Sequence, residues 1–183
     1  MKVLLASASP RRRELLKDIF SDFEVTVPDC NEKATGSPKR FVKQIAKQKA
    51  MATKSDADLI ISADTIVVYK NKILGKPKSQ QDAISTLTTL AGKKHLVFTG
   101  VCLKYKKTDK YFYKVFCDKS QVFMKDLSQK QIHDYLKTGS PLDKAGSYGI
   151  QDGVVEKFVG SYSNIVGLPL EKLEKILKKL NLI

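Results

Sequence analysis

Asp64 is the residue whose surroundings most demand a chemical explanation. It stands inside Leu59-Ile60-Ile61-Ser62-Ala63-Asp64-Thr65-Ile66-Val67-Val68-Tyr69, a run rich in β-branched residues that reads as sheet interior. An unpaired carboxylate in such a place is costly, so it must meet a metal ion, a cation or hydrogen-bond donors. A structural partnership with a lysine would satisfy it; catalysis or metal binding is the favoured role.

A second conflict lies in Ser9-Pro10-Arg11-Arg12-Arg13. Ser-Pro is a helix-start signal, and three cations then occupy the turn where the helix dipole is already positive, at roughly 0.3–1 kcal/mol per charge. An anion bound there reverses the sign, because free N–H groups, dipole and guanidinium forks all point at it. Ser7 and Ser9 add hydroxyls, and the motif follows a strand, so phosphate binding is the favoured reading over arginines splayed into solvent. Lys49 is four residues after Ile45 and eight after Phe41, which places it on the core-facing side of a helix, where it either finds a partner or snorkels to the rim. Glu32 sits in a polar loop and on spacing alone is an ordinary acid. Gly75-Lys76-Pro77 and the stretch from Asp143 and Lys144 to Gln151 each put a lysine on a constrained loop, and these lysines matter only if the loops converge on Arg11 and Asp64.

The elements that must position these groups follow from pattern. Val3 to Ala6 reads as a buried strand, followed by a helix that carries Leu15, Leu16 and Ile19 inward. Ser37-Pro38 opens a helix through about Thr53, with Phe41, Val42, Ile45 and Ala52 as its apolar face. Leu59 to Tyr69 and Ile73-Leu74 form a hairpin around Lys70-Asn71-Lys72. Ser79 with Asp82 caps a helix that ends at Gly92, and Ser128 with Gln131 caps another that ends at Gly139. Between them His95 to Leu103 and Tyr111 to Met124 are long strands joined by a lysine-rich turn. A strand near Val154 to Val159 and an amphipathic helix opened by Pro169 complete the chain. Hairpins mixed with helical crossovers predict an α/β fold with a mixed sheet.

At 183 residues and 42% hydrophobic content the prior is one globular domain with two lobes. No stretch reaches the roughly 20 apolar residues of a membrane span and no signal peptide is evident, so a soluble, cytoplasmic protein without membrane insertion is expected. Cys30, Cys102 and Cys117 are scattered and weigh against a zinc site or a disulfide framework. The net charge of +14 favours polyanionic partners, although much of it reads as solvated surface, as in the Lys104 to Lys110 hairpin tip.

Taken in order, these motifs give the whole chain a resemblance to the Maf family of nucleotide pyrophosphatases. They are Ser7-Ala8-Ser9-Pro10-Arg11-Arg12, Glu32, Ala46-Lys47-Gln48-Lys49-Ala50, Ser62-Ala63-Asp64-Thr65 and Gly75-Lys76-Pro77. His95 with Thr99-Gly100-Val101, Asp143 to Gln151, and Gly160 to Pro169 complete the pattern. The resemblance implies an elongated, two-lobed single domain like that of inosine triphosphate pyrophosphatases, with the nucleotide in a central cleft, assembly as a homodimer and a link to septum formation. Ser147, where alanine is common, and Asp152, where glycine is common, depart from the pattern, and Asp152 adds a negative charge beside the cleft.

What the resemblance implies chemically is attack of water on the α-phosphorus, with release of a nucleoside monophosphate and pyrophosphate. Mg²⁺ or Mn²⁺ would be held by substrate oxygens with Glu32 and Asp64, and Asp64 would accept the water proton. Ser7, Arg11, Arg12, Lys49 and Lys76 would bind phosphate, with Asp143 and Lys144 as further cleft residues. Arg11, Thr65 and Gln151 match the subgroup that acts on dTTP and UTP rather than on 7-methyl-GTP or other modified nucleotides. Two non-enzymatic alternatives, a nucleic-acid-binding module and a cell-division regulator, are disfavoured. The first lacks paired stacking aromatics and a recognition helix, and the second leaves Asp64 and the lysine set without a purpose.

Overall fold

A computed structural model describes residues 1–108 and 110–183. Among the described residues the strands are β1 (Val3–Ala6), β2 (Glu24–Thr26), β3 (Leu59–Tyr69), β4 (Lys72–Leu74), β5 (Lys94–Lys107), β6 (Lys110–Met124) and β7 (Val155–Val159). The helices are α1 (Pro10–Leu16), α2 (Pro38–Ala52), α3 (Gln80–Leu90), α4 (Gln129–Lys137), α5 (Tyr162–Val166) and α6 (Leu170–Lys179), with 3₁₀ turns at Ser140–Asp143 and Ala145–Ser147. All seven strands share one sheet in the order β2-β1-β3-β5-β6-β7, with β4 paired to β3. β1 runs parallel to β2 and β3, and the remaining pairs are antiparallel. The fold is therefore the mixed α/β sheet that the alternation of hairpins and crossovers predicts.

Strand alternation in β3 divides its side chains between two faces, and the odd-numbered face meets two cores along its length. Leu59, Ile61 and Ala63 join a core with Leu16 of α1 and Leu173 and Leu177 of α6, while Val67 enters a second core with Leu87, Leu90, Ile132 and Tyr148. Leu173 and Leu177 are fully buried, each contributing roughly 1.5–3 kcal/mol. The opposite face of β3 packs on α2, where the Ser62 hydroxyl donates to the Ala46 carbonyl at 2.6 Å. The buried stripe of α2 is Val42, Ile45, Ala46 and Ala50; Phe41 and Ala52, expected on it, are only half-buried.

Three expectations need adjustment. The β5–β6 hairpin extends past Leu103 to Lys107 and restarts at Lys110, so most of the lysine-rich segment is strand. Lys104 is buried rather than solvated, donating to the Thr53 carbonyl at 3.1 Å above the Tyr111 ring. At Ser79 the capping is split: its hydroxyl accepts from the Asp82 N–H, while the Asp82 carboxylate accepts from the N–H of Lys78. Among the described residues no helix is long and apolar enough to cross a membrane.

Candidate active site

The first wall of the site is the turn from β1 into α1. Ser9 is the N-cap, with extended backbone and a hydroxyl that accepts from the Arg12 N–H at 3.4 Å, and Pro10 follows. The three arginines then diverge. Arg13 is exposed, Arg11 Nη1 donates to Asp143 Oδ2 at 2.9 Å, and Arg12 turns inward. Arg12 Nε donates to the Gly167 carbonyl (2.8 Å), Nη1 to Ser7 Oγ (3.2 Å) and Nη2 to Thr65 Oγ1 (3.0 Å). The direction of the next bonds follows. Thr99 donates to the Asn164 carbonyl at 2.8 Å, so Thr65, 3.0 Å from Thr99, donates to it and accepts from Arg12. Burial pulls the Arg12 pKa down, opposed by the nearby Asp64 charge. Ser7 alone of the expected phosphate ligands does not line the cleft: it is buried, and its hydroxyl accepts from the Ser9 N–H and from Arg12.

The second wall is β3 against α2. Asp64 lies on the strand face turned to α2, and its neighbour Thr65 on the face turned to Arg12. Directly opposite Asp64 in the ladder is Gly100. A Cβ on Gly100 would stand 2.4 Å from the Val42 carbonyl oxygen, so only glycine lets the α2 backbone approach β5 this closely. Two helical turns after Val42, Lys49 then reaches Asp64 Oδ1 at 3.0 Å and Glu32 Oε1 at 3.1 Å. Lys49 and Asp64 are both 13% exposed, whereas Glu32 is half exposed at 50%. The lysine placed by helical spacing on the core face thus finds the carboxylate placed by strand alternation in the sheet interior.

The third wall is made of the two constrained loops, which do converge. The N–H of Gly146 donates to the Gly75 carbonyl at 3.0 Å, tying the Lys76 loop to the segment that carries Asp143, Lys144 and Gln151. Lys144 Nζ donates to the Ser140 carbonyl (2.6 Å), to Ser140 Oγ (2.9 Å) and to Asp143 Oδ1 (2.8 Å). Burial acts to raise the Asp143 pKa, but hydrogen bonds from Lys144 and Arg11 outweigh it and hold the carboxyl below its ordinary value. Asp152, expected to place its charge beside the cleft, directs its carboxylate at Tyr135 and Ser140 instead and is not part of the lining.

Together these walls enclose a cleft of about 600 Å³, within the usual range for small-molecule sites. Arg11, Arg12, Lys49, Lys76 and Lys144 face Glu32, Asp64 and Asp143 across it, a surplus of positive charge suited to a polyanion. Thr65 and Gln151 also line it, and Phe41, Tyr148 and Ile150 supply apolar wall. Sequence reasoning did not find the support behind that wall. Buried His95 lies 2.6 Å from Tyr148 Oη through Nε2, and burial lowers its pKa to about 4. Nor did it find that the carbonyls of Asn164, in the middle of the short helix α5, and of Gly167, its C-cap, fix Thr99 and Arg12.

Comparison with known proteins identifies the family. The chain matches the family described as Maf-like protein over residues 2–180. It is 46% identical over 189 residues to a protein of Clostridium beijerinckii named dTTP/UTP pyrophosphatase, an alignment covering 98% of this chain and 100% of that protein. Proteins of the same name from Clostridium perfringens and Dictyoglomus thermophilum are 40% and 41% identical, each alignment covering 97–98% of this chain and 96% of the relative. Since the matched span takes in every element that borders the cleft, the chain belongs to the Maf-like protein family.

Proposed function

We infer that this chain hydrolyses nucleoside triphosphates, dTTP and UTP above all, to a nucleoside monophosphate and pyrophosphate. The observation that carries the reading is the meeting of Asp64 and Lys49, 3.0 Å apart, in the same cleft as Arg11, Arg12, Lys76 and Lys144. A carboxylate within a cationic site is suited to water-mediated cleavage of a phosphoanhydride, and the names of the relatives support that reaction. Water attacks the α-phosphorus as its proton passes to Asp64; the bond to the bridging oxygen breaks and its electron pair leaves with pyrophosphate. Arg11, Arg12, Lys76 and Lys144 bind phosphate oxygens and stabilise the charge on the leaving group. Lys49 holds Asp64 and Glu32 in place, and Gln151 faces the base.

The donor set fits a hard divalent cation such as Mg²⁺ or Mn²⁺. One oxygen of each of Glu32 and Asp64 is held by Lys49 Nζ, which leaves the second oxygen of each as a hard donor, and among the described residues no group of three or more His, Cys, Asp or Glu side chains is assembled to hold a metal. The remaining ligands would therefore be triphosphate oxygens and water. When bound, the ion neutralises triphosphate charge and orients the chain of phosphates. Two lobes around the cleft, a homodimer, a cytoplasmic location and a role in septum formation belong to the same reading and rest on the family resemblance; light scattering of the purified chain tests the dimer.

A pyrophosphate-release screen over ordinary and modified nucleoside triphosphates, with Mg²⁺ and with Mn²⁺, tests the reaction. Metal-dependent release from dTTP and UTP is expected. Release from none of the panel, or release of orthophosphate instead, would overturn the reading.

A further inference from the structure

Outside the cleft lining, the carboxylate of Asp152 ties three segments of chain together. Its Oδ2 accepts from Tyr135 Oη of α4 at 2.5 Å, from Ser140 Oγ at 2.6 Å and from the Gly149 N–H at 3.2 Å. The Gly149 N–H also reaches Tyr135 Oη at 3.0 Å, and the Asp152 N–H donates to the Gly149 carbonyl at 3.1 Å. Residues 149–152 are thus a closed turn with the carboxylate folded beneath it. A Cβ on Gly149 would lie 2.6 Å from Asp152 Oδ2, so the arrangement needs glycine there.

The donors and acceptors balance at every step. Tyr135 donates to Asp152 and accepts from Gly149. Ser140 donates to Asp152 and accepts from Lys144 Nζ at 2.9 Å. Lys144 continues to Asp143 Oδ1 at 2.8 Å, and Asp143 Oδ2 accepts from Arg11 at 2.9 Å. One carboxylate oxygen therefore anchors both the turn that presents Ile150 and Gln151 to the cleft and the network that orients Lys144 and Arg11. Burial acts to raise the Asp152 pKa, but hydrogen bonds from Ser140 and Tyr135 outweigh it, and the group is held in its charged, acceptor-only form.

We propose that Asp152 is a positioning residue for nucleotide binding, holding Gln151 and Lys144 where they receive the base and the phosphates. This rests on the pyrophosphatase reading. Asp152 does not line the cleft, so its removal weakens binding and base discrimination more than turnover.

The test is steady-state kinetics of the wild-type chain and of Asp152→Ala, Asp152→Asn and Tyr135→Phe on dTTP, UTP and CTP. Asp152→Ala is expected to raise KM for dTTP and UTP about tenfold, leave kcat within about threefold and reduce the preference for UTP over CTP. Asp152→Asn, which keeps an oxygen acceptor, and Tyr135→Phe, which removes one donor, shift KM and preference in the same direction by less. Should Asp152→Ala fail to fold, Asp152→Asn carries the test. An active wild type with variants of unchanged KM and preference, losing activity only in proportion to the folded fraction seen by circular dichroism, overturns the inference alone. A wild type that releases no pyrophosphate from any of the three overturns the pyrophosphatase reading and this inference with it.

Discussion

Lys49 Nζ lies 3.0 Å from Asp64 Oδ1, and each side chain accounts for the other's burial. The lysine sits on the packed side of α2 and the carboxylate in the interior of β3, so either alone would be an uncompensated charge in a low-dielectric site. Removing one partner from a buried pair typically costs about 3–5 kcal/mol. Glu32, on the open side of the same ammonium, is half exposed and solvent-screened, so its share is smaller.

Asp64→Asn separates chemistry from packing at this point. The amide keeps the shape and can still accept a hydrogen bond from Lys49, but it cannot take a proton from water. Turnover of the folded, metal-supplied variant is expected to fall by roughly 10²–10⁴. Near wild-type turnover would remove Asp64 from the role of base.

Gly100→Ala tests how the pair is assembled. The new Cβ would meet the Val42 carbonyl oxygen at 2.4 Å and its carbon at 2.5 Å, both backbone atoms of α2, so the helix must move away. Overpacking of this kind costs typically about 1–3 kcal/mol. The same displacement carries Lys49 away from Asp64, so denaturant stability and turnover are both expected to drop. A variant with wild-type urea midpoint and turnover would show that α2 does not depend on this contact.

Much of this arrangement was legible in the sequence, because Asp64, Lys49 and the Arg11-Arg12 start each break a local rule that a partner would mend. Helical spacing puts Lys49 on the core-facing side of its helix, and the β-forming run around Asp64 puts that carboxylate in a sheet interior. What was not legible depended on reach across the chain. α5 is too short to show a helical stripe, and its one signal, Ser161 accepting from the Asn164 N–H, resembles an ordinary polar turn. The β5–β6 extension hid behind its lysines, because Lys104 and Lys106 read as a tip until Thr53 and Asp56 appear as acceptors. Asp152 looked like a cleft charge because nothing in its neighbourhood announces Tyr135 and Ser140 as donors.

His95 should give stability a specific dependence on pH. It is 2% exposed, its Nδ1 has no partner among the described residues, and burial lowers its pKa from 6.5 to about 4. The unfolded chain therefore binds more protons than the folded one between those values, and stability is lost as pH falls through that window. The shift corresponds to a stabilisation on the order of 3 kcal/mol, present above pH 6.5 and gone below about 4. Replacing His95 by Gln keeps a partner for Tyr148 and removes the titration. In urea melts at pH 7 and pH 4.5 the stability advantage of wild type over His95→Gln should narrow at the lower pH. An advantage that stays constant would mean that folding does not lower the His95 pKa.

The choice of base follows from what the cleft can attract. A 7-methylguanine ring is cationic, and the site already holds five cationic side chains against three carboxylates, with Arg11 fixed to Asp143 at 2.9 Å. An aromatic face would stabilise a cationic purine by cation–π attraction. Arg11 offers no such face, and its charge repels the ring. Gln151, which both donates and accepts, can instead read the imide edge of uracil or thymine, with Ile150 beside it as apolar wall. The specificity constants for dTTP and UTP are therefore expected to exceed that for 7-methyl-GTP by about tenfold or more, a difference that about 1.4 kcal/mol supplies. Gln151→Ala should reduce that preference by lowering kcat/KM for dTTP and UTP while leaving 7-methyl-GTP nearly unchanged. A specificity constant for 7-methyl-GTP equal to or above the other two would overturn the assignment of the base while leaving the pyrophosphatase reading intact.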